Sequence, residues 1–256
     1  MSGGAIAVFD LGIVLVEPVG LYERLAELLG VSHQQLAEVY YIHRRPYDTG
    51  LPDRDYWSRT LAELGLRPTG PVIGSVDADG AAPGGLTPTV GFDKVAAAPR
   101  RGAGGLPGSP GGLDLDALLP CLVATDVAGW STIRPEARSL LAHLGRAGVP
   151  VAVLSNAPSA LAAAAVGFDW AELVSWWFFS AVLGLTKPDP ALYAHVEKAL
   201  AATPDQLWFV DDRAENVEAA GSRGWHAHRW RSTAETGRWL ADSGLLPAFV
   251  GDDAGS

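Results

Sequence analysis

The chain has 256 residues, of which 48% are hydrophobic and 19% charged, with a formal net charge of −10. That length suffices for one α/β domain with a buried core plus a small accessory unit. The acidic balance, without any basic block, argues against general nucleic-acid or membrane-surface binding. No apolar run reaches the roughly 18 residues that span a bilayer, Met1-Ser-Gly-Gly carries no basic leader, and the single Cys121 has no internal disulfide partner, so a reducing, cytoplasmic setting is expected.

In chain order, Ala5–Phe9 is a continuous apolar run ending at Asp10, which predicts a buried strand of a parallel sheet. Leu21, Leu25, Leu28 and Leu29 recur at helical spacing up to Gly30 and predict a helix over 21–29. Ser32 precedes a second predicted helix, 34–43, and Asp53 a third, 54–64. Gly and Pro then fill 19 of the 46 positions 68–113; with no hydrophobic period, this stretch predicts a flexible insertion. Order resumes at Leu115. Helices are expected over 135–147, 159–166, 190–200, 215–221 and 233–243, and strands over 149–154, 176–180, 207–210 and 226–230, with a frayed tail from Gly251. Strands alternating with helices give a doubly wound α/β parallel sheet, whose ligands sit beyond the carboxyl ends of the strands.

Three predicted strands end in residues capable of chemistry: Asp10, Ser155-Asn156 and Asp211-Asp212. Lys187, in Leu-Thr-Lys-Pro-Asp-Pro, stands just before a helix. Each alone has an ordinary reading, as a turn residue, a helix cap or a solvated lysine. Adjacent carboxylates after an apolar strand repel one another unless a cation sits beside them, which makes Asp211-Asp212 the strongest single metal signal. Together the four supply what phosphoryl transfer through a carboxylate requires: a nucleophile, a cation for the phosphate, metal ligands and hydrogen-bond donors.

The segments FDLGIVL, VLSN, TKPDPALY and FVDDRAEN, taken in that order, resemble the motif set of the haloacid-dehalogenase-like superfamily, and most nearly its bacterial α-D-glucose-1-phosphate phosphatase type. The resemblance implies a Rossmann-like core over 1–17 and 131–256, with a helical cap over 18–130 inserted after the first motif. It implies a Mg²⁺-dependent phosphatase acting on a small phosphorylated metabolite. Asp10 would be the nucleophile and a metal ligand, together with the Gly12 carbonyl, Asp211 and, through water, Asp212. Ser155, Asn156 and Lys187 would hold the phosphate, and Asn216 would complete the acidic loop.

The sequence departs from most phosphatases of that superfamily at Gly12, where they carry a second aspartate as general acid. A glycine transfers no proton, so a water, a cap residue or a good leaving group must serve, or catalysis is slow. The cap stretch 40–56 is rich in aromatic and basic residues; His43 and Arg44, with Arg45 and Tyr47, are candidates to meet the substrate, and His43 is a candidate substitute acid. Two alternatives use the same residues: a haloacid dehalogenase, which needs no metal and is disfavoured by Asp211-Asp212, and a catalytically weak binding protein.

Overall fold

The computed structural model describes residues 4–69 and 113–247. The predicted insertion, apart from its edges at Pro68, Thr69 and Leu113, and the predicted tail lie outside the described residues. In chain order the elements are β1 (Ile6–Phe9), α1 (Leu21–Leu29), α2 (His33–Tyr40), α3 (Arg44–Asp48), α4 (Asp53–Glu63), β2 (Pro68–Thr69), β3 (Leu113–Asp114), α5 (Leu115–Gly129), α6 (Pro135–Arg146), β4 (Val151–Ser155), α7 (Ser159–Ala165), β5 (Trp176–Phe179), α8 (Ser180–Leu183), α9 (Pro190–Leu200), β6 (Leu207–Asp211), α10 (Ala214–Ser222), β7 (His226–Arg229) and α11 (Thr233–Asp242).

Five strands form one parallel sheet in the order β5-β4-β1-β6-β7. Helices flank it, as the sequence predicts. β1 and β4 are buried along their whole length, which is why their sequences are continuously apolar rather than alternating. α1 to α5 pack on one another between β1 and β4 in sequence, α3 resting on α4, as a helical unit that shares one apolar core with the sheet. Among the described residues, no helix is long and apolar enough to cross a membrane.

Local chemistry explains the boundaries. Ser32 closes a capping box with Gln35 and starts α2. The predicted helix 34–43 instead stops at Tyr40, and α3 begins afresh at Arg44. Pro46 has no N–H, and its ring would collide with the carbonyl four residues back, so a helix cannot run through Ile42 to Pro46. β4 starts two residues later than expected because Val149 closes the preceding helix. Gly148, at φ 74°, donates to Gly145, and Val149 donates to the Leu144 carbonyl at 3.0 Å, the paired bonds of a left-handed helix stop. α5 is absent from the sequence reading: Pro120 lies inside it and its apolar residues surround the axis instead of forming a stripe.

Candidate active site

The sheet order places β1 between β4 and β6, and neighbouring strands lie about 4.8 Å apart. Asp10 directly follows β1, Ser155 ends β4 and Asp211 ends β6, so the register that pairs Phe9 with Val153 and Val210 brings all three to one edge of the sheet. The Asp10 N–H donates to the Val210 carbonyl at 2.9 Å, which fixes the first aspartate beside β6.

Lys187 joins this group from the turn before α9. Its Nζ donates to Asp10 Oδ1 at 2.7 Å and to Asp211 Oδ2 at 2.6 Å, and the residue is 5% exposed. The turn is held by Asn156: its Nδ2 donates to the Lys187 carbonyl and its Oδ1 accepts the Lys187 N–H, both at 2.9 Å. The Asn156 side chain is therefore committed to the lysine backbone. Asp211 is fully buried, and its Oδ1 accepts from the Arg213 N–H and from Asn216 Nδ2, both at 2.9 Å.

The electrostatics follow from burial. Burial disfavours the charge on Asp10, and the neighbouring Asp211 and Asp212 carboxylates add to that; they outweigh Lys187, so the Asp10 carboxyl is pushed up to about 7. Asp212 is also raised, by burial and by Asp211. Burial opposes the Lys187 charge, but Asp10 and Asp211 overcome it and hold the ammonium above its usual range. Asp10, Asp211 and Asp212 each present a carboxylate oxygen within 4.8 Å of the others. Three hard oxygen donors with excess negative charge are the donor set a small divalent cation takes.

Asp10 and Asp212 open into a cleft of about 800 Å³ that also reaches Arg44, Arg45 and Asp48 of the helical unit. Ser155, Asn156, Gly12 and Asp212 line it, while His43 is not among its lining residues and pairs with Glu63 at 3.0 Å. Arg44 lines the cleft, but its guanidinium is engaged within the helical unit. Nε donates to Asp48 Oδ1 at 2.9 Å, and Nη1 to Tyr40 Oη at 2.5 Å and Asp126 Oδ2 at 3.2 Å.

Trp130 and Asp48, not singled out for chemistry by the sequence, also line the cleft. Trp130 explains Gly12: a Cβ there would lie 3.3 Å from the indole Cζ3, and the indole Nε1 is held by Tyr40 Oη at 3.1 Å. Asp126, which accepts from Tyr40 Oη and Arg44, had one sequence signal, a carboxylate set in the apolar turns of α5 beyond Asp116. Ile13 lines the cleft at φ +65°, where β-branched residues are rarely found.

Residues 101–224 match the family described as haloacid dehalogenase-like hydrolase. The chain is 36% identical over 124 residues to sesquiterpene phosphatase astK of Aspergillus oryzae, covering 47% of this chain and 57% of that one. It is 34% identical over 113 residues to Phosphatase MT3486 of Mycobacterium tuberculosis, covering 42% and 50%. The matches thus span about half the length of these curated relatives. Among solved structures, L-2-haloacid dehalogenase from Xanthobacter autotrophicus with chloropropionic acid covalently bound superposes with a TM-score of 0.60 at 17% identity, covering 96% of this chain and 85% of that one. A HAD family enzyme from Bacteroides thetaiotaomicron, in complex with magnesium and inorganic phosphate, gives 0.55 at 14% identity, covering 90% and 95%. Residues 101–224 are thus similar to the haloacid dehalogenase-like hydrolases, and the fold of the chain resembles that of the solved enzymes named here.

Proposed function

We propose that this protein is a Mg²⁺-dependent phosphatase that hydrolyses a small phosphorylated metabolite through an aspartyl-phosphate on Asp10. One observation carries the reading: a buried ammonium, Lys187, bridges Asp10 and Asp211 at 2.7 and 2.6 Å in a cleft that Ser155 also lines. The phosphatase names of the two curated relatives support it. So does the magnesium and phosphate complex of the structural neighbour.

In this reading residues 18–130 form the cap, and 1–17 with 131–256 the core. Asp10 attacks phosphorus. Lys187 neutralises phosphoryl oxygens while keeping Asp10 in place, and the Ser155 hydroxyl with the Asn156 N–H donates to those oxygens, the Ala157 N–H being taken by Ser180. Asp10, Asp211, Asp212 and the Gly12 carbonyl would hold the metal; that carbonyl already accepts the Val14 N–H at 2.7 Å and keeps a second lone pair. Magnesium, when bound, supplies charge neutralisation at the phosphate. Asn156 acts by positioning Lys187.

The organic part of the substrate meets Ile13, Tyr41, Trp130, Leu161 and Pro188. This wall favours an apolar group over a sugar, since Arg44 is engaged by Asp48, Asp126 and Tyr40 and His43 lies outside the cleft lining. The relative named as a sesquiterpene phosphatase points the same way.

A panel of alkyl, terpenyl and sugar phosphates, assayed for phosphate release with Mg²⁺ and with chelator, tests the reading. Metal-dependent release is expected, with apolar esters preferred. Chloride release from 2-chloropropionate without metal, and no phosphate release, would favour the dehalogenase alternative. Tight ligand binding with no turnover of any ester would favour the binding protein.

A further inference from the structure

We propose that Asp48, carried by the helical unit, is the proton-transfer group that Gly12 does not provide. This rests on the phosphatase reading. Four carboxyl groups line the cleft: Asp10, Asp48, Asp212 and Glu215. Asp10 and Asp212 belong to the acidic cluster, and Glu215 pairs at the exposed mouth with Arg213 at 2.7 Å. No histidine is among the lining residues. The Tyr41 hydroxyl is raised by burial and by its hydrogen bond with Tyr22, which makes it a poor acid near neutrality. Asp48 is the remaining carboxyl, and it enters from the helical unit rather than from the sheet.

Its position is fixed from two sides. The Ser180 hydroxyl donates to the Asp48 carbonyl and accepts the Ala157 N–H at 2.9 Å, tying the end of α3 to the loop that follows Ser155. Arg44 Nε donates to Asp48 Oδ1 at 2.9 Å, while Oδ2 has no hydrogen-bond partner among the described residues. The charged groups around the carboxyl are Arg44 on its own helix, Asp126 on α5 and Lys187 before α9. Burial, aided by Asp126, outweighs the two cations and pushes the carboxyl up to about 6, in the range that suits an acid and base near neutral pH.

In the first half-reaction an Asp10 oxygen bonds to phosphorus and the P–O bond to the leaving group breaks. The electron pair stays on the leaving oxygen, which takes the Asp48 proton and departs as the alcohol. In the second, a water oxygen bonds to phosphorus, its proton passes to the Asp48 carboxylate, and the acyl-phosphate P–O bond breaks to regenerate Asp10 and release inorganic phosphate. Asp48 ends protonated, as it began.

The test compares wild type, Asp48→Asn and Asp48→Glu, all with Mg²⁺, on p-nitrophenyl phosphate and on hexyl phosphate across the pH range. The amide of Asp48→Asn still accepts from Arg44 through its oxygen, so the fold is kept, and melting curves check this. On hexyl phosphate the wild-type rate should fall as pH rises through the Asp48 pKa. Asp48→Asn should lose that limb and about a hundredfold in kcat. The p-nitrophenolate leaving group needs no proton, so the hexyl-to-aryl rate ratio should drop at least about tenfold. Asp48→Glu should recover part of the ratio. An unchanged ratio, whether both rates fall together or neither falls, overturns the proposal. Failure of the wild type to hydrolyse either ester overturns the phosphatase reading, and the proposal with it.

Discussion

Replacing Lys187 with Met tests the electrostatic centre of the site. Methionine keeps most of the stem's volume and removes only the ammonium. The lysine is 5% exposed, and its two ion pairs at 2.7 and 2.6 Å are the positive charge holding Asp10 against Asp211. Removing one partner of a buried pair costs about 3–5 kcal/mol, and here two carboxylates lose it together. Protonation of Asp10, already raised to about 7, relieves part of the repulsion, so the lower end of about 3 kcal/mol is expected. With a denaturant slope of about 3 kcal/mol per molar urea, the midpoint falls by about 1 M in chelator. A divalent cation on the acidic trio replaces some of the lost charge, so Mg²⁺ should narrow the gap between variant and wild type. Activity should fall by at least about a hundredfold, the size of losing one stabilising donor at a developing anion. A stability loss under about 1 kcal/mol in chelator, unchanged by Mg²⁺, would refute the reasoning.

Gly12→Asp should not install a better acid. Its Cβ would press on the Trp130 ring at 3.3 Å, so a loss of about 1–3 kcal/mol with no rate gain is expected by thermal melting and kinetics. Trp130→Ala in the same chain should reduce that added cost, which a double-mutant cycle measures. Ile13→Asn should stabilise the fold by about 1 kcal/mol, since asparagine accepts φ +65° more readily than a β-branched side chain, while KM for apolar esters rises. Gly129→Ala should destabilise by about 1–3 kcal/mol, because its Cβ would lie 2.5 Å from Leu21 Cδ1 where α1 and α5 meet; an unchanged melting temperature would contradict that close approach.

The central strands were legible because burial on both faces makes their sequences continuously apolar, and because a residue at the end of each carries chemistry. Asp10, Ser155 and Asp211 follow from that pattern, Lys187 comes from the turn before α9, and the structure places all four at the cleft. The break between α2 and α3, four residues ahead of Pro46, was written in the sequence, yet helical periodicity outweighed it in the reading. α5 hides behind Pro120 and an apolar circumference. The Tyr40–Arg44–Asp126 cluster could not be read: it joins α2 and α3 to α5, 82 to 86 positions apart, and such pairings depend on tertiary packing alone. The same holds for Trp130 over Gly12 and for Asp48, which one hydroxyl on α8 ties to the loop after β4. His43 shows the converse, a promising residue type whose helix start aims it at Glu63.

Rapid acid quench during turnover of the preferred phosphate ester, followed by peptide mass analysis, tests the assignment of Asp10 most directly. The expected result is a phosphoryl group on the peptide containing Asp10, absent from the Asp10→Asn variant and lost on treatment with hydroxylamine, which cleaves acyl phosphates. Turnover with no adduct on that peptide, or an adduct on Ser155 instead, would contradict the account.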